Sequence, residues 1–106
     1  MIDLSKIEGF EWDEGNTHKP GEHDVSQEEA EGIFFTNPIF APDVKHSQTE
    51  ERTHAFGITK AGRLLHVTFT LRVNGRKIRV ISARDMSRKE RRIYHAKKTS
   101  EADSSL

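Results

Sequence analysis

The sequence predicts an α+β domain: an antiparallel β-sheet with helices packed on one side. Three observations carry that prediction. First, Leu64–Arg84 holds two runs rich in Val, Ile, Thr and Phe on either side of Asn74-Gly75. That dipeptide favours a tight hairpin turn because both residues tolerate positive φ. Second, Ser26-Gln27-Glu28-Glu29 and Ser87-Arg88-Lys89-Glu90 each match a helix capping box, serine at the N-cap and glutamate three residues on. Third, the stretches run as strand, two helices, three or four strands and a last helix, without the strict alternation of a parallel α/β chain.

In chain order, Phe10-Glu11-Trp12 alternates and reads as an edge strand, with Trp12 given to the core. Asp13 caps a short helix through Lys19, which Pro20-Gly21 ends. The helix opened by Ser26 carries Ala30, Ile33 and Phe34 as its inward stripe and stops by Asn37-Pro38. Gly32 costs that helix about 1 kcal/mol against alanine, so it depends on tertiary support. Ile39-Phe40-Ala41 is a short strand and 42–48 a loop. Arg52–Ile58 alternates, with Arg52, His54, Phe56 and Ile58 on one face.

Thr59-Lys60-Ala61-Gly62 turns into the main hairpin. A two-residue loop at Asn74-Gly75 puts Leu65, Val67, Phe69, Leu71, Ile78 and Val80 on a buried face. His66, Thr68, Thr70, Arg72, Lys77 and Arg79 then share the opposite, polar face, while Arg84 falls on the core face beside Leu65. The helix from Ser87 runs through about Lys98, with Ile93 and Tyr94 inward. Residues 1–98 therefore form one domain, and the small polar residues 99–106 form a disordered tail.

The chain is 33% hydrophobic and 32% charged, which implies a small core under a heavily charged surface. There is no cysteine, so a disulfide framework and a thiolate metal site are both excluded. No apolar run approaches a membrane span, and a cytoplasmic, membrane-free protein is expected. The net charge of zero hides a division. Met1 to Glu51 holds 13 acidic and 3 basic residues, a net of −10, and Arg52 to Lys98 holds 14 basic and 2 acidic, a net of +12. Such asymmetry points to a polyanionic partner for the basic half, or to pairing of the two halves within the molecule.

Nine cations fall within the span 72–92: Arg72, Arg76, Lys77, Arg79, Arg84, Arg88, Lys89, Arg91 and Arg92. Arginine suits phosphate because its planar fork of donors matches phosphate oxygens. The six histidines show no metal-ligand spacing, so no metal is expected. Without a P-loop, a dinucleotide fingerprint or a serine-hydrolase elbow, no cofactor is expected either. A metal-free ribonuclease instead needs a base for the 2′-hydroxyl, an acid for the leaving oxygen and cations for the phosphate. His46, Glu51 and His66 are the proton-transfer candidates. Arg79 is the candidate for the scissile phosphate, and Arg63, Arg72, Lys77, Arg84 and Arg88 are the candidates for RNA contacts. Two other readings use the same surface: a non-catalytic RNA- or DNA-binding module, and a protein whose basic face docks an acidic polypeptide.

Several pieces carry a family resemblance: Phe10-Glu11-Trp12-Asp13, His23 and Val25 before Glu28-Glu29-Ala30, Asp43 with His46, Glu50-Glu51-Arg52 and Gly62-Arg63. Most specific is Arg79-Val80-Ile81-Ser82-Ala83-Arg84 followed by Glu90-Arg91 and Tyr94. In these the chain resembles the BrnT toxins of bacterial type II toxin–antitoxin modules. Where that family has Lys-His-Gly before the second helix, this chain has Pro20-Gly21-Glu22-His23-Asp24. The resemblance implies a compact RelE-like endoribonuclease that cuts RNA and inhibits translation. It also implies a cognate BrnA-like DNA-binding antitoxin that neutralises it, with DNA reached only through the antitoxin complex.

Overall fold

The computed structural model describes residues 2–16, 24–46 and 50–104. Five strands, β1 (Gly9–Glu11), β2 (Ile39–Pro42), β3 (Arg52–Ile58), β4 (Leu64–Arg72) and β5 (Lys77–Asp85), form one sheet in the order β1-β5-β4-β3-β2. Two helices join it, α1 (Gln27–Gly32) and α2 (Arg88–Ser104). The α+β class expected from the sequence is the class formed. The sheet is mixed, because β1 runs parallel to β5 while the other three pairings are antiparallel. The helix expected over 13–19 is a turn through Asn16, and 17–19 lie outside the described residues.

The capping box at Ser26 has both arms: Glu29 N donates to Ser26 Oγ at 3.0 Å and Ser26 N donates to Glu29 Oε1 at 3.1 Å. The helix is short and tightens into a 3₁₀ turn over Ile33–Phe35. Thr36 Oγ1 closes it by donating to the carbonyls of Ile33 and Ile58. The predicted stripe Ala30, Ile33 and Phe34 is buried against Ala55, Leu65, Val67, Phe69, Ile78 and Val80. Phe34 meets Phe69 edge-on with ring centroids 5.1 Å apart. The 3₁₀ turn sits so close to β3 that a Cβ at Gly57 would lie 2.9 Å from the Ile33 Cβ. Only glycine fits there.

The hairpin keeps its expected register from the turn to the middle of the sheet: Arg72 opposes Lys77, Leu71 Ile78, Thr70 Arg79 and Phe69 Val80. The connection spans four residues between the strands, and Val73, Asn74 and Gly75 all take positive φ. A bulge then intervenes. Thr68 opposes Ser82, so Ile81 is an extra residue in β5. Beyond it every side chain of β5 changes face relative to the unbroken register. Arg84 therefore opposes His66 and not Leu65, which corrects the core-face placement, and Ala83 packs on the core instead.

The second capping box also forms, with Glu90 N donating to Ser87 Oγ at 3.1 Å and Ser87 N donating to Glu90 Oε1 at 2.8 Å. Helix α2 touches the sheet through Glu90 and the buried Tyr94, and one turn on Lys98 donates to the Asn37 carbonyl just before β2. With Ile93 and Lys97, Tyr94 lines a cleft against Ile39, Ala41 and Phe56, on the face away from α1. The two helices thus sandwich the sheet, which corrects the one-sided arrangement. The helix continues to Ser104, six residues beyond the expected end at Lys98, so the tail predicted to be disordered is helical that far. No glycine or proline interrupts it, and Lys98 pairs with Glu101 one turn on.

Candidate functional site

Side chains that oppose one another on neighbouring strands share a face. On the face away from α1 the register builds three rows. The first is Ile39, Phe56, His66 and Arg84; the second Ala41, His54, Thr68 and Ser82; the third Arg52, Thr70, Arg79 and Glu11. The bulge in β5 is what brings Ser82 and Arg84 into these rows. Helix α2 covers the first row. A 3₁₀ turn over Val44–His46 carries His46 to the side of the second.

The polar atoms of this face join into one chain. The His46 ring Nδ1 lies 3.0 Å from Asp43 Oδ2, and the same carboxylate oxygen lies 3.6 Å from His54 Nε2. His54 Nδ1 is 2.9 Å from Thr68 Oγ1 and 2.9 Å from His66 Nε2. His66 Nδ1 faces Glu90 Oε2 at 3.4 Å, and Glu90 receives both arms of the Arg84 guanidinium at 2.8 and 2.9 Å. Phe56 stacks on the His66 ring, 4.5 Å between centroids. Exposure is graded along the chain: the His46 side chain is 56% exposed, His54 25% and His66 11%.

The electrostatics follow from those contacts. Burial, reinforced by the Arg84 charge, pushes His66 down to about 4, so it is neutral at physiological pH. The Arg84 hydrogen bonds pull Glu90 down to about 2, keeping it ionised. Burial pushes the Asp43 carboxyl up, but the His46 hydrogen bond and the charges of His46 and His54 outweigh it and leave Asp43 below its ordinary value. Among the described residues no group of His, Asp or Glu has the geometry of a metal site.

The expected site residues separate into three sets. His46 and His66 lie in the same polar chain, linked through His54. The carboxylate of Glu51 makes no contact with the histidines among the described residues; only its backbone carbonyl is engaged, by Thr70 Oγ1 at 2.7 Å. Arg79 is held at its fork, with Nη1 donating to Glu11 and both Nη atoms donating to Asp13 at 2.9 Å. The Asp13 hydrogen bonds raise its affinity for its proton. To take a phosphate it would have to leave both carboxylates.

The RNA-contact candidates also divide. Arg72, paired with Glu50, and Lys77 sit at the turn end of the hairpin. Arg84 and Arg88 sit about 20 Å away at the other end, six residues along β4 at ~3.3 Å per residue. Arg63 ties α1 to β5 by binding Glu29 at 3.1 Å and Asp85 at 2.7 Å. Arg88, Lys89, Arg91 and Arg92 are exposed on α2 and make no ion pair among the described residues.

His54, Asp43 and Glu90 are the members of the site that sequence reasoning did not assign to it. The signal for His54 lay in the turn at 59–62: closing β3 onto β4 there sets His54 opposite Thr68 and diagonal to His66. Glu90 was visible as a capping residue and in the Glu90-Arg91 motif, but not as a neighbour of His66. His18 and His23 lie outside the described residues.

Comparison with protein families matches residues 12–90 to the family described as ribonuclease toxin, BrnT, of type II toxin–antitoxin system. The matched span holds β2 to β5, Asp43, all three histidines of the site and Glu90 at its last position. Comparison with curated proteins returns no match.

Proposed function

This chain belongs to the BrnT family of ribonuclease toxins of type II toxin–antitoxin systems, and on that premise we propose that it is a metal-independent endoribonuclease using His46 and the His54–His66 pair. The observation that carries this reading is the carboxylate of Asp43 shared between His46 and His54. Asp43 engages Nδ1 of His46 and so fixes that ring, leaving Nε2 without a partner among the described residues. The Nε2 of His46 takes the proton of a ribose 2′-hydroxyl. The freed oxygen attacks the adjacent phosphorus, and the bond to the 5′-oxygen breaks. A proton passed from the His54–His66 pair goes to that 5′-oxygen. The products are a 2′,3′-cyclic phosphate and a 5′-hydroxyl.

Arg84 on β5, opposite His66, and Arg88 and Arg91 in the first turn of α2 supply positive charge that stabilises the negative charge gathering on the phosphate. Arg79 acts by holding the face together through Glu11 and Asp13. The partner is a BrnA-like, DNA-binding antitoxin that covers the exposed cations of α2 and so keeps RNA off the site.

The test is cleavage of a defined RNA by purified protein, with and without ribosomes and with a metal chelator present. Wild type should leave cyclic phosphate ends whether or not the chelator is added. His46→Ala should slow cleavage about 10²–10⁴-fold, the usual worth of a general acid or base. Wild-type rates in folded His46→Ala remove His46 from the mechanism. RNA binding without any cleavage favours the binding-module reading.

A further inference from the structure

Glu90 makes three kinds of contact from one side chain. Oε1 accepts from Ser87 N and closes the cap of α2, both oxygens hold the Arg84 guanidinium, and Oε2 faces His66 Nδ1 at 3.4 Å. The last contact bears on the proton bookkeeping of the histidine pair. A neutral imidazole has one N–H and one lone pair. His66 Nε2 and His54 Nδ1 lie 2.9 Å apart, so one must donate and the other accept. His66 Nδ1 is buried and has no hydrogen-bond partner among the described residues, so the Glu90 carboxylate at 3.4 Å acts on it as a nearby charge, and a proton on Nε2 would leave the Nδ1 lone pair beside that charge. With the proton on Nδ1, an N–H faces Glu90 and the Nε2 lone pair is left to accept from His54.

We propose that Glu90 is a positioning residue that fixes the His66 tautomer as Nδ1–H, and so couples the N-terminus of α2 to the histidine pair of the site. Two other charged groups face the pair. Arg84, on β5, stands beside His66 and opposes a second charge there, and Asp43 stands 3.6 Å from His54 Nε2. With His66 as Nδ1–H the His54 Nε2 lone pair lies toward Asp43, farther from that carboxylate than His66 Nδ1 is from Glu90. His54 is the member of the pair nearer to solvent and to His46. Helix α2 and the site rise and fall together, because the residue that starts the helix also sets the tautomer. The catalytic importance of this arrangement rests on the ribonuclease reading; the tautomer itself does not.

The experiment uses ¹⁵N-labelled full-length protein, with the His66 signals assigned by loss in His66→Gln. Long-range ¹H–¹⁵N imidazole spectra should show Nδ1–H in wild type and a shift toward Nε2–H in Glu90→Ala. Glu90→Gln, which keeps an acceptor oxygen, should restore part of the Nδ1–H form. Ser87→Ala removes one arm of the same helix cap while leaving the Arg84–Glu90–His66 contacts. It should keep the wild-type tautomer and a kcat close to wild type. In cleavage assays Glu90→Ala should lower kcat about 10²-fold with KM little changed, and move the acid limb of the pH profile. An Nε2–H form in wild type, or Nδ1–H retained in folded Glu90→Ala, overturns the proposal. A tautomer that responds as described in a protein that cleaves no RNA upholds the positioning role and removes the ribonuclease reading instead.

Discussion

Two residues show how far single side chains govern this molecule. Phe69 is fully buried and meets Phe34 and Phe40 edge-on. Phe69→Ala should cost about 3–5 kcal/mol in a denaturant melt, since the rings around it are fixed by β2 and the 3₁₀ turn and cannot all collapse inward. His66 makes stability depend on pH. Its folded value of about 4 lies below the reference of 6.5. Between those limits the unfolded chain binds a proton that the native state does not, so stability falls as pH drops from 6.5 to 4, by up to about 3 kcal/mol. Glu90, depressed to about 2, adds a further loss between 4.5 and 2 as its ion pair is protonated. Melting temperatures across this range should show a flatter slope from pH 6.5 to 4 in His66→Gln than in wild type.

Among the elements, β1 and β5 depend on each other through Arg79. Its guanidinium binds Glu11 at the end of β1 and Asp13 just beyond it. Arg79→Ala leaves two carboxylates without their partner and should destabilise the fold by about 1–2 kcal/mol, read by melting, apart from any effect on RNA. From the sequence alone the substitution looks structurally neutral, because Arg79 points away from the core. The charge division was legible as a possible internal pairing, but the parallel docking of β1 was not, since nothing local sets which strand a three-residue segment joins. Both helix starts, the stripe Ala30-Ile33-Phe34 and the register from Arg72 to Phe69 could be read directly, because caps, periodicity and a turn act over a few residues. The bulge at Ile81 could not. It changes the face of Ser82 and Arg84, and with them half of the candidate site, without any glycine or proline to mark it.

For the molecule as a whole, the acidic half pairs with three arginines of the hairpin. Glu8 meets Arg76, Glu11 and Asp13 meet Arg79, and Glu50 meets Arg72. The exposed arginines and lysines near the start of α2 are the positive charge left facing solvent beside the site. Arg88→Glu with Arg91→Glu should therefore slow association with the antitoxin and flatten its salt dependence in stopped-flow measurements. Unchanged rates would place the antitoxin elsewhere.

The parallel pairing of β1 with β5 also dictates an order of assembly. The β4–β5 hairpin closes a loop of a few residues, whereas Glu11 and Arg79 are 68 residues apart. Closing the longer loop costs about 2–3 kcal/mol more in chain entropy, so β1 docks after the hairpin exists. In pulsed hydrogen-exchange refolding, amides of Phe69 and Val80 should gain protection before those of Phe10 and Glu11. Synthesis imposes the same order: β1 is made before β5 and waits for it. A sheet in which the first strand pairs in parallel with the last cannot close until β5 has been synthesised.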